Sequence, residues 1–400
     1  MSEIRVTNVI GENGNSPVNF TQGINMSGIC TAPAFIPSQG QLSHRNKVIN
    51  GSMIINQRGG SFTSTGNEYM MDRFEHVQSG SFNFDTTTTQ DASGPVGFRK
   101  CLKITPDSTQ TPTGGMNGMI QHKIEGQDLQ DLCFGTSSAK KITLSFYAKS
   151  AAQNNNHQYT LQIRKYDDSN NRNMLNRAFT VTSSWQRFTM TFDGDTAENI
   201  RNDQEAGMQL LWHLADGPDD IHAQVNTFSR TTNSSFYTAV TGQSNFMDNT
   251  NNEFYLTGVQ LEVGDTATSF EHRSYGEELM RCMRYYERQS VDDGNGGYAT
   301  VCMGYRANST RVVIQPVFRV PKRATNATFE FNGPMRLYYQ NNSSEQVIDS
   351  WTTFQNSQFG LYGGYKVLDR SGGVGGSDGY TFRMEGNGNT SAYIAFSSEL

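Results

Sequence analysis

The sequence predicts an all-β chain, on three observations. Only 35% of the 400 residues are hydrophobic and 18% charged; the remainder is rich in Asn, Ser, Thr, Gly and Gln, which suit turns and polar strand faces better than helix interiors. Short segments alternate apolar and polar residues with the period of two of a strand with one wet face. Clusters of turn residues break these segments at intervals. Aromatic residues form 11% of the chain and recur inside the alternating segments, which argues against a disordered polar chain. The expected order is an N-terminal extended arm, a jelly-roll β-sandwich, one short linker helix and a smaller C-terminal β domain.

Residues 1–45 read as the arm. Ile4, Val6, Val9, Ile10 and Phe20 lie in strand-like scraps broken by Gly and Pro, among them Gly11, Pro17, Gly23, Pro33 and Pro37. Such scraps build no core alone. Their apolar side chains are expected to dock on a partner.

Residues 46–273 read as the main domain. Ile142, Leu144 and Phe146 alternate with Thr143, Ser145 and Tyr147; Tyr159, Leu161 and Ile163 alternate with Thr160, Gln162 and Arg164. Phe179 and Val181 precede Trp185, and Phe188, Met190 and Phe192 follow it. Trp185 and Trp212 are expected in the core. Phe254 and Leu256 set one phase, while Val259, Leu261 and Val263 take the other after Gly258. A β-bulge at Gly258 would return both halves to one buried face. Many short alternating strands point to a jelly roll.

Residues 274–297 read as helix and linker. Ser274 and Glu277 have capping-box spacing, and Leu279, Met283 and Tyr286 then share a helical face to about Arg288. Residues 298–400 read as the second β domain. Its expected strands are Arg311–Gln315, Val317–Val320, Ala327–Phe331, Arg336–Gln340, Gly379–Met384 and Ala392–Phe396, with Pro316 and Pro321 at strand ends or edges. There is no fixed-period repeat, which argues against a β-helix.

Charge and cysteine content exclude several classes. A formal charge of −6 without a block of like charge does not suggest nucleic-acid capture. No apolar run approaches the ~20 residues of a membrane-spanning helix, and Met1–Val6 lacks the features of a signal peptide. Synthesis in a cytosol is expected. Cys30, Cys101, Cys133, Cys282 and Cys302 are odd in number and lack short paired spacing, which fits free, mostly buried thiols better than a disulfide framework or zinc site.

The run Phe254–Arg273, its continuation Ser274–Glu287, and the closing segment Ser391–Leu400 resemble segments of bacteriophage tail-fibre and other virion surface proteins. Gly118–Glu125, Asp128 and Leu129, Lys141–Ser150 and Ser184–Phe188 resemble a carbohydrate-binding-module type of jelly roll that recurs in phage fibres. The Asn-x-x-Ile-Asn-Gly opening typical of that type reads here as Asn46-Lys-Val-Ile-Asn-Gly51, followed by Met53–Arg58 and Tyr69–Phe74. The resemblance implies a non-enzymatic virion protein without a cofactor: a tail-fibre subunit, homotrimeric, that attaches to a host-surface glycan. The arm would anchor it to other virion proteins of the tail or capsid. It would be made in the bacterial host cytoplasm and reside in the virion. A head fibre or capsid-decoration protein is the alternative of the same class; a surface-polysaccharide hydrolase is the alternative from another.

The chemical candidates are few. Gly372–Gly379 lacks the strand, helix and Lys-Ser/Thr of a phosphate cradle and reads as a hairpin loop. The acidic pairs Asp167-Asp168, Asp219-Asp220 and Asp292-Asp293 have oxygen chemistry suited to Ca²⁺, but such pairs in turns are more often solvated, and no metal site is assigned. No His-Glu-x-x-His or Gly-x-Ser-x-Gly spacing occurs, so no catalytic residue is assigned. A sugar site needs aromatic faces among amides. Tyr338, Tyr339, Trp351, Tyr362 and Tyr365, with Gln340, Asn341 and Asn342, fit that need and are the glycan-binding candidates, set against the alternative of core packing.

Overall fold

The period of two does build sheets. The structure is a computed structural model and describes residues 43–230, 239–292, 294, 296–339 and 345–400. The arm residues Ile4, Val6, Val9, Ile10 and Phe20 lie outside these, as does Cys30. Among the described residues the regular structure is nearly all β-strand, with one α-helix, Tyr275–Met283.

Two antiparallel sheets face each other across the first core. One has the spatial order Ser61–Ser64, Thr86–Asp91, Cys101–Pro106, Phe254–Val263, Ile142–Ser150, Gln186–Phe192. The other runs Ser229–Arg230, Arg172–Thr180, Gln158–Tyr166, Ala206–Asp216, Asn117–Glu125, Phe74–Ser79, Glu68–Met71. The chain passes repeatedly from sheet to sheet, in jelly-roll fashion. Leu144, Phe146, Leu161, Ile163, Leu210 and Trp212 are fully buried between the layers. Trp212 meets Phe146 edge-on at 5.7 Å between centroids. Trp185 is not in this core, contrary to expectation: it is half-buried, its indole Nε1 donates to the Ser93 carbonyl (2.9 Å), and the Lys149 ammonium lies 5.3 Å from its ring. It precedes the strand Gln186–Phe192, where alternation does not yet dictate the side chain's direction.

The bulge is where the phase change placed it. Pairing of Phe254–Val263 with Ile142–Ser150 slips between Thr257 and Gln260, Gly258 has φ +62°, and Phe254, Leu256, Val259 and Leu261 all enter the core. A Cβ at Gly258 would stand 2.8 Å from the rings of Phe98 and Tyr147. Gly258→Ala therefore combines left-handed strain of about 1–2 kcal/mol with a steric clash. A loss of at least about 2 kcal/mol is expected in urea unfolding, and a loss below about 0.5 kcal/mol would show that the bulge relaxes freely.

Ser274 caps the helix Tyr275–Met283, its Oγ accepting from the Glu277 N–H at 3.3 Å. Glu277 does not reach back; it pairs with Arg281 one turn on, at 3.0 Å. The helix stops at Met283 rather than near Arg288, because Tyr285 and Tyr286 are consecutive and both buried. That pattern suits an extended chain entering two environments. Tyr286–Ser290 is a strand, paired with Tyr393–Ser397, which pairs in turn with Thr328–Asn332.

The second core lies between this three-stranded sheet and a seven-stranded one of spatial order Glu345–Ile348, Met335–Tyr339, Thr381–Gly386, Thr300–Asn308, Arg311–Gln315, Gly364–Asp369, Thr353–Phe359. Val317–Val320 forms no strand; only Val317 makes an isolated bridge, to Gly363. Its flanking prolines remove ladder donors. Thr300–Asn308 escaped the alternation reading because an inward position is Gly304, left empty for the Phe382 ring (2.6 Å from where a Cβ would stand). Residues 372–379 are not a hairpin. They connect Gly364–Asp369 to Thr381–Gly386, which Arg311–Gln315 and Thr300–Asn308 separate in the sheet.

The sequence segments that carry the fibre resemblance meet in space. Asn46 Nδ2 donates to the Val259 carbonyl (3.0 Å) while its Oδ1 accepts from Val48 and Leu261 N–H. Asn50 Nδ2 bonds the carbonyls of Ile55 (2.8 Å) and Asp72 (2.9 Å), and its N–H donates to Glu278. Gln57 holds the Asp72 carboxylate and the Tyr286 carbonyl. Glu399 then reaches back between Arg58 (3.0 Å) and Arg73, and these guanidiniums lie on the rings of Tyr286 (3.8 Å) and Tyr285 (3.5 Å). Leu400 accepts from Lys123 Nζ (2.6 Å) and Tyr69 OH (3.0 Å). These residues form the joint between the two cores.

Candidate functional site

Register builds a cleft on the outer face of the seven-stranded sandwich sheet. Residues paired across antiparallel strands share a face. One row runs Glu75, Gln121, Leu211, Gln162, Asn176; the next runs Lys123, Gln209, Arg164, Met174; a third runs Val77, Met119, His213, Thr160. These are the residues opposite in phase to the core. The connection after Asp216 folds back over one end of the face, with Val225 N–H on Asn176 Oδ1 (2.7 Å), Val240 N–H on Thr160 Oγ1 (2.9 Å), and Thr160 donating to Gln243 Oε1 (2.8 Å). The part that the described residues leave open is a cavity of about 260 Å³ lined by Val77, Asn117, Met119, Gln121, Arg164 and Leu211, together with Ser79, Gly115, Arg172 and Asp220.

Its chemistry is amide, guanidinium and aliphatic. Asn117 Oδ1 accepts from Ser79 Oγ (2.9 Å) and its Nδ2 donates to Asp220 (3.0 Å). Gln121 Nε2 donates to Glu75 (3.2 Å), which also pairs with Lys123 (2.8 Å). Arg164 donates to the neutral amide oxygens of Gln162 (2.9 Å) and Gln209 (3.4 Å). Burial, with the charge of nearby Arg172 added, holds the Arg164 guanidinium below its usual range against the pull of Tyr166. Burial likewise raises the Asp220 carboxyl, with Asp216 adding to the effect. Met119, Leu211 and Val77 supply an apolar floor.

The five aromatics singled out in the sequence do not form one cluster. Tyr338 and Tyr339 project to opposite faces of Met335–Tyr339. Tyr339 is 1% exposed, in the second core against Phe382. Trp351 is 7% exposed and packs on Phe331. Neither presents a face to solvent, so neither is a stacking platform. Tyr338 is half-buried beside a cavity of about 280 Å³ lined also by Met303, Thr381, Phe382 and Arg383, with the Arg383 guanidinium 4.4 Å from its ring. Tyr362 is 69% exposed, on the turn before Gly364–Asp369, and Tyr365 is half-buried within that strand; three strands separate them from Tyr338. Gln340, Asn341 and Asn342 lie outside the described residues.

The acidic pairs and cysteines have local roles. Asp167 accepts from the N–H groups of Ser169 and Asn171 and from the Asn171 side chain, closing its own turn. Asp293 is outside the described residues. Cys101, Cys282 and Cys302 are buried free thiols and Cys133 is half-buried; burial pushes the Cys302 thiol up to about 12. Sequence reasoning read Arg164 and Gln162 as a wet strand face without marking them as a site. Periodicity tells which face is not core, but a residue facing solvent and one lining a cleft give the same signal.

No protein-family model matches the chain, and no curated protein matches it. It is similar to solved structures. The enzymatically active domain of tailspike protein 4 from bacteriophage CBA120 is 12% identical over 55% of this chain, with a TM-score of 0.30; the match spans 21% of that chain, about a fifth of its length. The CBM22-1 xylan-binding domain of Paenibacillus barcinonensis Xyn10C is 11% identical over 53% of this chain and 94% of its own, with a TM-score of 0.26. The family 11 carbohydrate-binding module of Clostridium thermocellum Lic26A-Cel5E is 10% identical over 53% and 98%, with a TM-score of 0.26.

Proposed function

We propose that this chain is a non-enzymatic, glycan-binding subunit of a phage fibre, and that the cleft on the outer face of the seven-stranded sandwich sheet holds the sugar. The observation that carries the binding reading is the cleft's lining: amides and guanidiniums that bond hydroxyls, set around an aliphatic floor that covers C–H faces. The fibre assignment rests on the resemblance of residues 46–74, 254–287 and 391–400. In that reading the N-terminal arm anchors the subunit to the virion, three copies assemble, and the sandwich meets a host-surface glycan. Hydrolysis by a carboxylate pair needs two acids flanking one bond. Asp220 is the one carboxylate lining the cleft among the described residues, and its neighbour Asp216 is engaged by His213 at 2.8 Å.

The test is retention of purified protein on an array of bacterial surface glycans, followed by affinity for whichever glycan retains it. Val77→Trp plugs the cleft from a half-buried wall position and is expected to weaken binding at least tenfold without lowering the melting temperature. The cavity beside Tyr338 is the second reading, since it has the half-buried ring and the guanidinium from which a sugar platform is built. Binding kept in Val77→Trp and lost in Tyr338→Ala would move the site there. Steady release of reducing ends from the retained glycan would replace the non-enzymatic reading.

A further inference from the structure

The charge balance of the sandwich cleft narrows the kind of sugar it suits, given the glycan-binding reading above. Arg164 lies on a strand interior to the sheet, with Arg172–Thr180 on one side and Ala206–Asp216 on the other. Among the described residues its guanidinium bonds neutral oxygens, Gln162 Oε1 at 2.9 Å and Gln209 Oε1 at 3.4 Å, with the Tyr166 hydroxyl beside it, and its Nε is buried without a hydrogen-bond partner there. No carboxylate forms an ion pair with it there. A desolvated guanidinium ordinarily has a counter-ion, because its charge is expensive to bury alone. The other charges of the cleft do not supply one: Arg172 adds a second cation to the lining, Glu75 is held by Lys123 and Gln121, and Asp220 is held by Asn117 on the Ser79 side. Two guanidiniums facing one cavity form a receptor for a planar anion, for which Arg is the preferred residue.

We infer that the saccharide bound in this cleft is acidic, with a ring carboxylate of the hexuronate class received by Arg164 and Arg172 and the rest of the ring lying over Met119 and Leu211. The cavity of about 260 Å³ lies just below the roughly 300–1,000 Å³ of most ligand sites, which suits a short saccharide segment better than a long one. Hydroxyls then fall to Gln121, Asn117 and Ser79. The carboxylate supplies the charge that Arg164 lacks in the free protein, so affinity should depend on that one group and weaken with salt.

The test is calorimetric titration of the full chain with tetragalacturonate and with the same tetrasaccharide after reduction of its carboxyl groups to hydroxymethyl groups. The acidic form is expected to bind at least tenfold more tightly, and R164Q should abolish that preference. R172Q changes an exposed residue and carries the same expectation should R164Q fail to fold, as judged by circular dichroism. Equal affinity of the two tetrasaccharides, or a preference that survives R164Q and R172Q, overturns the inference. Binding of neutral xylo- or cello-oligosaccharides with none of tetragalacturonate overturns it while leaving the glycan-binding reading in place. No binding of any acidic or neutral oligosaccharide overturns both.

Discussion

Glu399→Ala is expected to destabilise the protein by about 3–5 kcal/mol, the usual cost of removing one partner from a buried charge network. The carboxylate sits between Arg58 and Arg73, whose side chains are 11% and 1% exposed. Without it, Arg73 loses its one ion pair among the described residues and Arg58 is left with the attraction of Asp72, and the tyrosine rings beneath them offset only part of that loss. Urea unfolding of the full chain measures it. A loss below about 1 kcal/mol would mean that the arginines find water or another acid, and that the joint does not depend on Glu399.

Lys322→Met should cost a similar amount, about 3–5 kcal/mol, at the ion pair that ties the segment after Arg311–Gln315 to the strand Tyr286–Ser290. Lys322 and Glu287 form an ion pair at 2.7 Å with both side chains fully buried. The ammonium also bonds the Met283 carbonyl at the end of the helix, where a positive charge is favoured. Burial still holds the Lys322 ammonium below its usual range, despite the attraction of Glu287. Among the described residues, removing the lysine leaves Glu287 the Arg319 N–H and the Gln289 amide as donors. The double variant Lys322→Met/Glu287→Leu removes both charges, so it should recover most of the loss. A double variant as unstable as the single one would show that the cost comes from the lost hydrogen bonds, not from a stranded carboxylate.

Both predictions concern residues inside the segments by which the sequence resembles phage fibres, or in contact with them. Asn46, Asn50, Gln57, Arg58, Asp72, Arg73, Glu278, Tyr285 and Glu399 bond to one another or to neighbouring backbone across more than 300 positions of chain. Their geometry is that of a structural joint. The residues of the proposed sugar cleft lie elsewhere, apart from Gln121 and its neighbours in Gly118–Glu125. A motif that supports recognition of a fold therefore need not mark the site where that fold acts.

The sequence by itself determined the all-β class, the bulge at Gly258, the Ser274 cap, and which face of the main strands is buried. These follow from local causes: side chains alternate along a strand, a phase change needs an extra residue, and a hydroxyl at the right spacing meets a free N–H. The tertiary structure alone decided that Trp185 lies near the surface, that Tyr339 and Trp351 are core, and that Tyr286 continues as strand. It also decided that Arg164 lines a cleft, because the connection after Asp216 closes over one end of its sheet. Alternation says that a residue faces away from the core. Whether that direction meets water, another strand or a cavity is settled by segments far away in sequence, whose positions no local pattern encodes.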